Sequence, residues 1–380
     1  MAQNHRLPSE LYDQISECLQ RRDLASFART SQLARVSAMR SLYRRIVLQK
    51  TTQLIALKGL CHTLSQHRHL AELVTHLEID YTPPRSVPPD GSLPQMSEYA
   101  KWVASALQCT TNLQHLSLSP TFTTADDIFA PDSPRLPQLR HLHLYSGHVS
   151  LTPGLSSFLT RHSESLQELT LFSLSRTCDV VAVPQLNRLQ SLTTDSLHML
   201  VSVFFATRRR NLLSSVRRID FGTRLVGTLL NLNQLQAVAR RLEQINFLQS
   251  FRLSESFSVR LSLYPWSAIK RFGMRWCVAG DLTVNTLRIL DKARQAFPAL
   301  EAVDLFCGHP ATSKTHSWVN IDKQHDLTAQ LLQFLEKLPR LRLVTVLHTA
   351  FVRDVAGTTF RSDGPLQRRH GAPEIPFNYL

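Results

Sequence analysis

The sequence predicts an α/β fold in which helix–strand units repeat along the chain and stack side by side. A recurring kernel carries the prediction: an apolar residue, two variable residues, an apolar residue, one variable residue, and an apolar residue. Its last apolar positions alternate with the period of a strand. Between kernels lie stretches with helical spacing, such as Trp102 to Leu107 and Leu287 to Phe297. A third observation is a series of short amphipathic helices that precedes the first kernel.

The N-terminal stretch 7–48 predicts three short helices packed on one another. Pro8 presets a helical φ at a place where a helix can spare an N–H. Asp23 is the expected N-cap of the second helix, and Ser31 that of the third. The third helix is expected to continue as far as Ile46.

The apolar and capping positions of this stretch resemble those of an F-box, in the form common in fungal proteins. They are Leu7, Pro8, Glu10, Leu11, Ile15, Leu19, Asp23, Leu24, Phe27 and Ser31, followed by LYRRIVL at 42–48. Thr30 departs from the Val that the family often has there. The resemblance implies binding to the small Skp adaptor of a cullin-based (SCF) ubiquitin ligase. By that analogy the adaptor-binding residues are Leu7, Pro8, Leu11, Ile15 and Leu24.

The alternative for this stretch is an amphipathic helical cap that has no partner. Three helices of this length cannot cover all their own Leu and Ile side chains, which favours a partner. We therefore assign 1–48 to an F-box and 49–73 to a linker helix of the kind that commonly follows it in fungal members of the family.

Residues 74–356 are expected to form a solenoid of stacked repeats, since one strand alone cannot bury its Leu face. The kernels begin at Val74, Leu113, Leu139, Leu166, Leu189, Val216, Leu248, Ile269, Leu300 and Leu341. They resemble irregular leucine-rich repeats of the F-box type, which implies parallel strands on a concave face and helices on a convex face. The alternative is an α/β domain with a parallel sheet. Pro-rich or polar stretches at 82–94 and 121–137 predict loops. The stretch 357–380 is expected to be disordered or to cap the last repeat.

The variable positions of the kernels are expected to line the concave face and to bind a protein substrate. The candidate substrate-binding residues are Arg218, Arg252, Arg271, Arg275, His141, His143 and Tyr145. Neighbouring strands lie about 4.8 Å apart, so the four arginines would form one basic patch. Such a patch could bind an acidic or phosphorylated segment through charge-assisted hydrogen bonds.

Composition limits the classes of protein that the chain can belong to. Its 380 residues carry a formal charge of +14, which is compatible with acidic partners such as nucleic acid, phosphoproteins or acidic protein surfaces. Nucleic acid is the less favoured partner, because aromatic residues do not interleave with basic ones and Arg208–Arg210 is a short run. The sequence shows no secretory signal, and no apolar run is long enough for a membrane span. The six cysteines are spread singly, which predicts a reduced compartment, the cytosol or the nucleus.

No catalytic motif is present, and we expect neither enzymatic activity nor a cofactor or metal. His62, His67 and His69 match no standard metal-ligand spacing, so a solvated helix face is favoured over a metal site. The expected function is that of a substrate-recognition subunit, joined to cullin through the Skp adaptor. The alternatives are an adaptor-binding scaffold without a ligase role and a basic repeat protein associated with nucleic acid.

Overall fold

A computed structural model describes most of the chain, and it is a mixed α/β structure with parallel strands. The described residues are 8–48, 54–80, 96–118, 128–129, 135–149, 153–174, 186–194, 215–221, 242–251, 266–276, 282–307, 321–346, 349–353 and 360–365. Contacts divide the chain into two compact units, Met1–Ser215 (unit 1) and Val216–Leu380 (unit 2). No helix among these residues is long and apolar enough to cross a membrane.

Unit 1 begins with three helices, α1 (Ser9–Cys18), α2 (Arg21–Phe27) and α3 (Gln32–Arg44). The α1 and α3 helices pack on each other. A buried hydroxyl pair joins them, with Ser16 Oγ and Ser41 Oγ 2.7 Å apart. Ser16 is the buried residue of α1, and the ion pairs Arg40–Asp13 and Arg44–Glu17 also join the two helices.

The ends of these helices differ in part from the sequence prediction. Ser31 caps α3 as expected, since its hydroxyl accepts a hydrogen bond from the Ala34 N–H at 3.1 Å. Asp23 is not a cap, because α2 already begins at Arg21 and Asp23 lies in its first turn. The expectation that Ile46 belongs to the third helix is wrong. Residues Arg45–Leu48 form a strand that follows α3 directly, so the expected boundary at residue 48 lies inside unit 1.

The strands of unit 1 alternate with further helices and pair in parallel, each with the next in the chain. The strands are β1 (Arg45–Leu48), β2 (His76–Ile79), β3 (His115–Leu118), β4 (His141–Val149), β5 (Glu168–Leu174) and β6 (Ser191–Thr194). The helices are α4 (Leu54–Gln66), α5 (Arg68–Ala71), α6 (Met96–Cys109) and α7 (Pro153–Arg161). The linker helix expected at 49–73 is thus two helices, separated at His67.

One backbone register continues through the strands of unit 1. The N–H of Gln114 donates to the carbonyl of Thr75, that of Arg140 to Gln114, and that of Gln167 to Arg140. The first apolar residue of each kernel is buried, as is the apolar residue three positions later. Val103 and Leu107 of α6 and Phe158 of α7 are also fully buried, so the helices cover the leucine side of the strands.

Unit 2 also contains parallel strands and helices, but its last two strands pair antiparallel. Its strands are β7 (Arg218–Phe221), β8 (Gln244–Phe251), β9 (Arg271–Trp276), β10 (Ala302–Cys307), β11 (Leu343–Val346), β12 (Thr349–Arg353) and β13 (Phe360–Pro365). Its helices are α8 (Leu282–Ala296) and α9 (Ile321–Glu336), which contact each other. Strands β7 to β11 pair in parallel, whereas β12 and β13 pair antiparallel.

One kernel of unit 2 lies six residues earlier than predicted. The strand residue in register with both Arg218 and Arg271 is Gln244, which belongs to the kernel that begins at Leu242. The kernel assigned to Leu248 is the continuation of the same strand, β8. Arg252 is therefore not the counterpart of the other two arginines, and it lies outside the described residues.

The outcomes for the predicted loops and the tail are mixed. The loop at 82–94 lies outside the described residues, as does most of 121–137. The stretch 357–380 contains a regular element, because β13 pairs with β12. This strand adds to the final edge of the sheet, in agreement with a capping role.

Candidate functional site

A row of aromatic and acidic side chains lies on the side of the unit 1 strands opposite the leucines. We call it the histidine face; it consists of His76, His115, His141, His143, Tyr145, Glu78 and Glu168. The parallel register places His76 beside His115 and His115 beside His141. Because strand side chains alternate between faces, the variable kernel positions of successive strands meet there.

The rings of the histidine face stack on one another. The centroids of His76 and His115 are 4.0 Å apart and their planes nearly parallel, at 10°. His115 meets His143 edge to face at 4.7 Å, and it meets His141 at 5.7 Å. Tyr145 extends the row, with its ring 6.1 Å from that of His143. The sequence predicted His141, His143 and Tyr145 as binding residues, and the structure places them together on this face.

Burial makes the central imidazoles neutral near pH 7. Desolvation, followed by the charges of neighbouring histidines, lowers the pKa of His115 to about 2 and that of His143 to about 4. Burial, with a contribution from Glu78, raises the pKa of Tyr145. The centre of the face therefore offers uncharged rings, despite its four histidines.

Carboxylates flank these rings. Glu78 Oε2 lies 3.6 Å from His76 Nε2, and Glu168 Oε2 lies 4.0 Å from His143 Nε2. The pKa of Glu78 is below its ordinary value, first because of the adjacent His76 ring and against the opposing effect of burial. Glu78 is therefore ionised near pH 7.

Two polar atoms beside these carboxylates are buried and have no hydrogen-bond partner. They are Nε2 of His76, whose contact with Glu78 is too long for a hydrogen bond, and Oδ1 of Asp80. Asp80 follows β2 directly and shares the alternation of His76 and Glu78. Buried polar atoms are normally paired, so both atoms have unused hydrogen-bonding capacity.

Two of the four arginines that were predicted to form a basic patch, Arg218 and Arg271, have side chains that the structure describes, and both are paired with carboxylates. Arg218 pairs with Asp220 on its own strand at 2.7 Å, and Arg271 Nε contacts Asp304 on β10 at 2.6 Å. Arg275 lies on β9, but its side chain is outside the described part of the structure. The two described arginines are thus already engaged by carboxylates, which reduces their attraction for an acidic ligand.

The predicted adaptor-binding residues divide between surface and interior. Leu11 and Ile15 of α1 are 39% and 38% exposed, and Pro8 is exposed at the N-cap of the same helix. Leu24 of α2 is only 3% exposed, so it supports the helices from inside. Leu7 lies outside the described residues.

Two further exposed apolar residues, Leu33 and Val36 of α3, were not predicted from the sequence. Their spacing of three, offset from the buried Ala34 and Ala38, was the signal that could have identified them.

No group of side chains suited to hold a metal ion is found among the described residues. His62 of α4, His69 of α5 and His67 between these helices are exposed, and the rings of His67 and His69 are 5.9 Å apart.

No protein-family model matches this chain, and no curated protein matches it.

Proposed function

We propose that the chain is a substrate-recognition subunit of an SCF-type ubiquitin ligase. In this proposal, residues 1–48 form an F-box that binds a Skp-type adaptor and, through it, cullin. The stacked strands are irregular leucine-rich repeats whose variable side binds a protein substrate. Such a role belongs to the cytosol or the nucleus.

The observation that carries the adaptor proposal is the exposure of Leu11 and Ile15. These two side chains lie one helical turn apart on α1, and both are more than one third exposed. Leu33 and Val36 add exposed apolar area on α3, the helix that packs on α1. Apolar side chains concentrated on one small helical segment are typical of a protein-binding surface.

The repeat proposal rests on the regular order of the strands within each unit. Each parallel strand pairs with the next in sequence, and the kernel's leucines are buried in the same way from repeat to repeat. This is the geometry expected when identical supersecondary units stack on their neighbours.

The mechanism that follows is one of proximity. A subunit that binds the adaptor at one surface and a substrate at another raises the effective concentration of the substrate near the conjugating enzyme. The chain itself needs no catalytic group, since the transfer of ubiquitin belongs to other subunits of such a ligase.

A pull-down with purified Skp-type adaptor tests the proposal. Leu11→Glu/Ile15→Glu should weaken adaptor binding by about 100-fold or more, because two buried apolar contacts would be replaced by charges. Ile55→Glu is the matched control, since Ile55 is 78% exposed on α4, outside the F-box-like segment. Equal binding by wild type and the double variant overturns the adaptor proposal.

A second measurement separates a ligase subunit from an adaptor-binding scaffold. A substrate-recognition subunit should promote ubiquitination of a protein that it captures, in a reaction with the reconstituted ligase. If a captured protein remains unmodified while the adaptor stays bound, the scaffold alternative is the correct one.

A further inference from the structure

We propose that the histidine face of unit 1 binds an extended segment of a partner protein that carries arginine or lysine. The cation would lie over the imidazole and phenol rings and contact Glu78 and Glu168. The partner segment would be the substrate of the proposed recognition subunit, so this inference rests on the proposed function. The expected substrate is basic, whereas the net charge of +14 suggested an acidic one.

The described charged residues of the histidine face and its border are mostly acidic. Its described carboxylates are Glu78, Glu168 and the adjacent Asp80, and the described cation beside them in register is Arg45 of β1. The central histidines add no positive charge near pH 7, because burial keeps them neutral. The face is therefore acidic within a strongly basic chain, and a bound anion would meet Glu78.

Aromatic rings lie beside these carboxylates. The His76 and His143 side chains keep 22% and 17% of their area exposed, next to Glu78 and Glu168 respectively, and the Tyr145 ring lies 6.1 Å from that of His143. A guanidinium or ammonium group against such rings gains a cation–π interaction that strengthens when water is excluded.

Selection from a random peptide library displayed on phage tests the proposal, with the full-length chain as bait. Peptides retained by wild type but not by Glu78→Gln/Glu168→Gln should be enriched in arginine and lysine. The isosteric substitutions remove the charge and keep the shape, and thermal unfolding checks that the variant is folded. A selection that yields no peptide dependent on these carboxylates, or yields peptides rich in Asp and Glu, overturns the proposal.

The affinity of one selected peptide gives the quantitative test. Fluorescence anisotropy should show at least a tenfold weaker Kd for Glu78→Gln, and a weaker Kd for wild type at higher salt. Glu98→Gln is the control, since Glu98 is an exposed residue of α6 away from the strands, and it should leave the Kd unchanged. Equal Kd values for wild type and Glu78→Gln contradict the proposal.

Adaptor binding is measured in parallel to keep the two proposals distinguishable. A chain that binds the adaptor but selects no basic peptide overturns only the inference about the histidine face. A chain that selects basic peptides but binds no adaptor overturns only the proposed ligase role.

Discussion

His162 is a buried histidine with a structural role in packing. Its Nδ1 lies 2.7 Å from the carbonyl of Phe158, and its Nε2 accepts a hydrogen bond from the Leu136 N–H at 3.0 Å. This pairing assigns the proton to Nδ1 and keeps the ring neutral. Burial is the main reason that the pKa of His162 is lowered. The residue is thus a structural link between α7 and the stretch that precedes β4.

The lowered pKa values of His115, His143 and His162 predict acid sensitivity of the fold. As the pH falls through about 6.5, the unfolded chain takes up protons on these histidines, whereas in the folded chain burial keeps His115 and His143 neutral and disfavours the protonation of His162. The free energy of unfolding should therefore fall between about pH 7 and pH 5, by up to about 1.4 kcal/mol per pH unit for each of His115 and His143.

Urea unfolding at several pH values measures this slope. His143→Gln should make the slope shallower, because the group that the unfolded chain protonates has been removed. The control His69→Gln changes an exposed histidine and should leave the slope as it is in wild type. A slope that His143→Gln does not alter would contradict the prediction.

Ion pairs within and between strands reduce the positive charge that Arg218 and Arg271 of unit 2 offer to a ligand. The Arg218–Asp220 pair could be read from the sequence, since the two residues are on the same face of one strand. The Arg271–Asp304 pair could not, because it joins β9 to β10 and depends on the register between them. A sequence argument that counts arginines along a face therefore overestimates the free positive charge.

The Arg271–Asp304 pair predicts a loss of stability when the arginine is removed. Arg271→Met should lower the free energy of unfolding by about 1–3 kcal/mol, because the buried Asp304 carboxylate loses its partner. Solvent around the half-exposed guanidinium favours the lower part of this range.

A double-mutant cycle measured by urea denaturation checks this expectation. Adding Asp304→Asn to Arg271→Met should recover part of the loss, since the uncompensated charge is gone. Arg294→Met is the control, because Arg294 pairs with Asp291 on the exposed surface of α8. If the two single arginine variants lose the same small amount, the Arg271 pair contributes no more than a surface pair.

The register of β8 shows why one predicted element was misplaced. Kernels that begin at Leu242 and at Leu248 both fit the apolar pattern, and they differ by an even number of residues. An even shift keeps every side chain on the same face, so alternation cannot distinguish the two frames. Only the pairing of Gln244 with Arg218 and Arg271 selects the first. The strand–helix alternation, by contrast, was predictable because its apolar periods are local.

The candidate site, too, could be predicted from the sequence only where it depends on neighbouring residues of one strand, and not where it depends on contacts between strands. His141, His143 and Tyr145 could be assigned to one face from alternation within β4. The stacking of His115 on His76 depends on strands whose kernels lie far apart in sequence. The neutrality of the central rings follows from that packing, so the sequence alone could not predict an acidic face in a basic chain.

The last strand, β13, is expected to limit self-association of the chain in solution. Strand β13 pairs with β12 and forms the edge itself, where its sequence FRSDGP contains charged residues, Gly and Pro that disfavour further strand pairing; without it the more apolar β12, TAFVR, would be the edge. A chain that ends after Gly357 lacks β13 and should associate in a concentration-dependent manner. Size-exclusion chromatography with light scattering detects such association.

A chain that ends after Pro365 is the control for this prediction. It keeps β13 and removes only residues outside the described part of the structure, and it should elute like the full-length chain. Identical elution of the two truncated chains at every concentration would contradict the protective role of β13.

Strand β1 follows α3 directly, and hydrogen bonds connect this junction to α2 and to the start of β2. The Arg44 carbonyl accepts from the Thr75 N–H at 3.0 Å, and Arg21 donates to the Arg45 carbonyl at 2.8 Å. The helix α3, on which the Leu11- and Ile15-bearing α1 packs, therefore continues without an intervening linker into β1, and β1 pairs with β2, the strand that carries His76 and Glu78. Two proteins bound at these surfaces would be held at one distance and one orientation, set by the backbone instead of by the reach of a tether.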